Sequence, residues 1–69
     1  MKLYVVKDLE TGLFIGERGF VMDEEDARFF KRNPGDFAPI VCDETLIDLE
    51  KCEILIYNLV KVWHTHLKN

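Results

Sequence analysis

The stretch CEILIYNLVKVW (52–63) constrains this chain more than any other, because only Glu53, Asn58 and Lys61 interrupt its apolar run. Such a run has to bury most of its surface, and a chain of 69 residues has room for one small domain, spanning 1–69, to receive it. Its secondary structure therefore decides the fold. At period two, Ile54, Ile56, Asn58, Val60 and Val62 fall on one side and Leu55, Tyr57, Leu59, Lys61 and Trp63 on the other; neither side is polar. At 3.6 residues per turn, Cys52, Leu55, Ile56, Leu59, Val60, Trp63 and Leu67 form one stripe. Glu53, Asn58, Lys61, His64, Thr65 and Lys68 fall opposite it. The pattern predicts a long helix over about 48–68, capped by Asp48, with Thr45 as an alternative cap.

The remaining segments supply a sheet for that helix. KLYVVKD (2–8) is rich in β-branched and aromatic residues and apolar on both faces, which predicts a central strand. DLETG (8–12) is turn chemistry with Gly12 free to take a positive φ, so LFIGE (13–17) is expected to return antiparallel. MDEEDARFFKR (22–32) predicts a short helix over 23–32. Asp23 is its expected N-cap, Glu24 and Glu25 favour the positive end of its dipole, and Pro34 and Gly35 stop it. FAPIVCD predicts a third strand over 37–42, with Pro39 near its start or at an edge. The expected fold is α+β: a small ββαβα domain whose three-stranded sheet (2–8, 13–17, 37–42) is packed by a short helix (23–32) and the long C-terminal helix.

The residues capable of chemistry do not assemble into a motif. On a helix, His64 and His66 point to opposite sides and cannot grip one ion, and Cys42, Cys52, His64 and His66 do not have zinc-ligand spacing. Cys42 with either histidine is a Cys–His pair without a surrounding signature. Asp23, Glu24, Glu25 and Asp26 lack the spacing of a calcium loop, and fan around a helix instead of converging. No catalytic residue, cofactor or metal is therefore expected. The net charge of −4 is spread over both halves of the chain without a basic stripe, which argues against nucleic acid as the partner. No apolar run reaches membrane-spanning length and MKLYVV is too short for a signal peptide, so a cytoplasmic protein with free thiols is expected.

One surplus remains. Ile54 and Tyr57 fall outside the apolar stripe of the expected C-terminal helix, one turn apart, with Lys61 one turn further on. A domain this small needs help to be stable, and two such helices packed about a two-fold axis would supply it. The sequence thus predicts a homodimer through the C-terminal helix. Ile54, Tyr57 and Lys61, together with the acidic Asp23, Glu24 and Glu25, are the candidate protein-interaction residues.

YVVKDLETGLFIGERGF, followed by an acidic turn and DARFF, resembles small uncharacterised bacteriophage-encoded proteins. These open with a Tyr-Val-Ile-Lys-like strand, a Thr-Gly turn and a helix carrying Ala-x-x-Phe. The resemblance covers residues 1–32 and carries over no site residue. It implies a compact acidic product that acts inside a bacterium by binding a host protein. The expected function is a non-enzymatic protein-binding module, an inhibitor or adaptor of a host protein such as a defence protein. The alternative is a structural or regulatory homodimer without a target.

Overall fold

The computed structural model describes residues 1–58. Its centre is β1 (Lys2–Asp8), which occupies the span expected of it. β2 (Phe14–Ile15) pairs antiparallel with β1 through Lys7 and Phe14, and β3 (Phe20–Val21) pairs antiparallel with β2. The β1–β2 loop closes through Asp8 N–H to Leu13 O and Gly12 N–H to Asp8 O, both at 2.8 Å, with Gly12 at φ +77°.

The largest departure from the sequence expectation is β6 (Cys52–Asn58), a strand paired with β1 over its whole length, from Asp8↔Cys52 to Lys2↔Asn58. The described part of the expected long helix is therefore extended, apart from a 3-10 turn at Leu49–Lys51; its continuation lies outside the described residues. Asp48 does cap that turn, accepting from Glu50 N–H at 3.1 Å. The strand order is β3-β2-β1-β6.

The physical reason lies in the two faces of the sheet. Val5 and Val6, adjacent in β1, are both fully buried, because each face carries a cluster. Val6 packs with Ile15, Phe30, Ile40 and Cys42 on one face; Val5 packs with Phe14 and Ala27 on the other, where Leu55 and Tyr57 join them. β6 lends Cys52 to the first cluster and Leu55 and Tyr57 to the second, so it carries apolar residues on both faces and period two shows no contrast. β-branched Ile54 and Ile56 and aromatic Tyr57 also suit the pleated surface.

The short helix is corrected too. Only Glu24–Asp26 form a 3-10 turn, and Asp23 makes no capping hydrogen bond with its side chain. Ala27 is already extended, and the chain beyond it enters the sheet. Arg28 N–H donates to Ile15 O at 2.8 Å, and Phe30 and Tyr4 exchange both backbone hydrogen bonds, each at 2.8 Å. Period two places Phe30 in one cluster while Phe29 packs on Tyr57, whose pair partner Leu3 lies on the opposite face. A helix could not divide adjacent phenylalanines between the two faces.

The expected third strand over 37–42 shrinks to β4 (Val41–Cys42), which joins no main-sheet strand but forms a hairpin with β5 (Thr45–Leu46). Asn33 caps a 3-10 turn at Pro34–Asp36, and the Ala38–Pro39 peptide is cis. Phe37, Ile40, Cys42, Ile47 and Leu49 then layer over the Val6 face. The described residues form two antiparallel sheets joined by 3-10 turns, with no α-helix among them, and the α+β reading is replaced by a strand-dominated one. No helix in the described residues is long and apolar enough to cross a membrane.

A candidate protein-interaction edge

Among the described residues β6 is the last strand of the four-stranded sheet, so one of its long sides is an edge there. The phase of the β1–β6 ladder follows from Leu9, whose N–H donates to Lys51 O at 3.0 Å. Alternate residues continue that phase: Lys7, Val5 and Leu3 direct their backbone groups to Glu53, Leu55 and Tyr57. Tyr4 and Asp8 confirm the alternation from β1's other side, where they bond Phe30 and Leu13. On β6, therefore, Ile54 and Ile56 turn both N–H and C=O away from β1. Among the described residues no group meets them.

Side chains along this edge are apolar. Ile54 is half-buried beside Val6, whereas Ile56 stands 54% exposed beside Tyr4. Across the sheet, Leu55 and Tyr57 are half-buried beside Val5 and Leu3. Natural edges are commonly blunted by Lys, Pro or a bulge. Of these, CEILIYN has neither Lys nor Pro, and its pairing with β1 runs without a break. Its single charge, Glu53, is exposed. Glu53 is paired with Lys7, but the Lys7 ammonium lies 5.7 Å from the centroid of the Phe14 ring, on the β2 side of β1. No ion pair engages Glu53 among the described residues.

The candidate residues taken from sequence are dispersed. Ile54 and Tyr57 are three apart, which shares a face on a helix and divides faces on a strand. Tyr57 spends its ring on Phe29, at 5.7 Å between centroids. Lys61 lies outside the described residues, as do His64 and His66. Because Cys52–Asn58 is a strand paired with β1, the helical surface that the expected homodimer requires is absent from the described residues. Asp23, Glu24 and Glu25 are exposed around a three-residue turn, and among the described residues no hydrogen bond to their side chains organises them. Ile56, which sequence reasoning placed in the core stripe, is instead the most exposed hydrophobic residue of the edge. The signal for it was the absence of Lys and Pro from CEILIYN, which becomes informative once the segment is known to be an edge strand.

Other reactive groups are engaged structurally. Burial pushes the Cys42 and Cys52 thiols upward in pKa, away from the nucleophilic thiolate. Cys52 Sγ also donates to Asp48 O at 3.4 Å. A groove of about 230 Å³ has Asp8, Glu10 and Asp48 in its lining, but Asp8 and Asp48 spend their carboxylates on turn hydrogen bonds. Among the described residues no group of three or more His, Cys, Asp or Glu side chains is placed to hold a metal ion. Compared with known proteins, the chain matches no protein-family model, no curated protein and no solved structure.

Proposed function

We propose that this chain is a non-enzymatic protein-binding module that receives an extended segment of another protein as an additional strand along β6. One observation carries the reading: Ile54 and Ile56 present, at a two-residue repeat, backbone donors and acceptors that no described residue meets, flanked by apolar side chains. Another extended backbone matches that repeat, and strand addition is an established recognition mode for such edges. Main-chain bonds supply affinity in this mode, and side chains on either face supply selectivity. The resemblance of residues 1–32 to phage-encoded proteins supports a bacterial host protein as the partner, which the module inhibits or adapts.

The test is capture from bacterial lysate with the wild-type chain and with Ile56→Pro. Proline at 56 removes an outward N–H that β1 does not use, so it blocks the edge while leaving that ladder bonded. Ile56→Lys is the second blocking variant. The expected result is one stoichiometric partner that both variants lose and that slows exchange of the Ile54 and Ile56 amides. A partner retained equally by both variants would place binding elsewhere.

A further inference from the structure

The exposed charge on β6, Glu53, which no described residue engages, points to the chemistry of the segment that the edge receives. We infer that this segment carries a Lys or Arg opposite Glu53 and aliphatic residues opposite Ile54 and Ile56. The inference rests on the strand-addition reading above and deepens it.

The ladder phase makes the two sides of Glu53 unequal. Toward β1, Glu53 and Lys7 form a hydrogen-bonded pair, the wider kind, with Cα atoms about 5.5 Å apart. Lys7 also places its ammonium by Phe14, not by the carboxylate. Toward the open edge, the position opposite Glu53 is a non-hydrogen-bonded pair, with Cα atoms about 4.5 Å apart and side chains closer. A cation delivered there meets a carboxylate that no residue of the described chain engages. The positions opposite Ile54 and Ile56 share the face of Tyr4 and Val6, where Ile56 is still 54% exposed and an aliphatic side chain would complete its cover. A second copy of β6 fits this description poorly, since CEILIYN contains no cation and would leave Glu53 unmatched.

The experiment uses a displayed library of random decapeptides, selected on the full chain and separately on Glu53→Lys, with Glu53→Gln as the neutral control. Selected peptides are synthesised and titrated into the ¹⁵N-labelled chain, reading the Ile54 and Ile56 amides. Wild type is expected to select aliphatic peptides with one Lys or Arg, and Glu53→Lys to select Asp or Glu at that position. Exchanging the charge on either side alone should weaken binding about threefold or more, and exchanging both should restore it. Peptides that shift the Ile54 and Ile56 amides without charge preference would overturn the cation inference and leave strand addition standing. If no selected peptide shifts those amides, or if β6 instead pairs with β6 of a second copy, strand addition to a heterologous segment fails and the inference falls with it.

Discussion

Phe29 and Tyr57 meet across β1, their ring centroids 5.7 Å apart and their planes tilted by 52°. The contact ties the segment after the acidic turn to β6, which β1 otherwise separates. Tilted aromatic pairs contribute about 0.5–1.5 kcal/mol beyond their area. In a double-mutant cycle with Phe29→Ala and Tyr57→Ala, a coupling energy of that size is expected from urea denaturation. Additive losses would show that the rings are neighbours without being coupled.

Gly16 is the tightest position in the β2–β3 hairpin. A Cβ there would lie 2.7 Å from Gly19 O and 2.9 Å from Val21 Cγ1. The obstructing carbonyl is held in place, since it accepts from Gly16 N–H at 2.9 Å. Gly16→Ala should destabilise the chain by about 1–3 kcal/mol, as overpacking does. Gly19→Ala meets nothing within 4 Å and serves as the control.

The β4–β5 turn has the opposite defect. Asp43 and Glu44 both adopt positive φ, 50° and 63°, as a two-residue hairpin turn with mirror-image geometry requires. Left-handed backbone costs a side-chain-bearing residue about 1–2 kcal/mol, and glycine's greater unfolded freedom offsets roughly 0.5–1 kcal/mol of the gain. Glu44→Gly should therefore raise stability by about 0.5–1 kcal/mol, measured by thermal melting, whereas Glu44→Ala should not.

Asp8 links pH to the first loop. Its carboxylate accepts from Thr11 Oγ1 at 2.6 Å and from the N–H groups of Thr11 and Glu10 at 3.3 and 3.4 Å. The Thr11 hydroxyl above all, followed by those amides, holds the Asp8 pKa below its ordinary 3.8. A depressed carboxylate pKa contributes stability above the unfolded value, lost as pH falls through the folded value. Thr11→Val should raise the Asp8 pKa toward 3.8 in a carboxyl NMR titration. The stability gap between wild type and Thr11→Val should be widest at neutral pH and narrow in acid. A gap constant with pH would assign Thr11's effect to its bond from Leu13 N–H instead.

The first hairpin was legible because Leu3, Val5, Tyr4 and Val6 leave β1 no polar side, and Gly12 announces its turn. Cys52–Asn58 is likewise apolar on both faces, although its side chains are only half-buried or exposed. A continuous apolar run matches some helical stripe by chance, so the 3.6 count found contrast where none was structural. β-branched Ile54 and Ile56 suit a strand, but Leu59, Val60, Trp63 and Leu67 prolong the helical stripe beyond Asn58. Asp23 to Arg32 failed for another reason: backbone bonds from Arg28 to Ile15 and from Phe30 to Tyr4 are long-range, and local propensity does not contain them. The open edge needed both strand identity and ladder phase, and neither can be read from composition.

Residue-resolved hydrogen exchange on the free chain tests the central claim most directly. If β6 is a strand bonded to β1 on one side and open on the other, protection must alternate. The Glu53, Leu55 and Tyr57 amides should exchange slowly and the Ile54 and Ile56 amides fast. Uniform protection across Cys52–Asn58, as a helix or a covered edge would give, contradicts both the fold of this segment and the binding edge inferred from it.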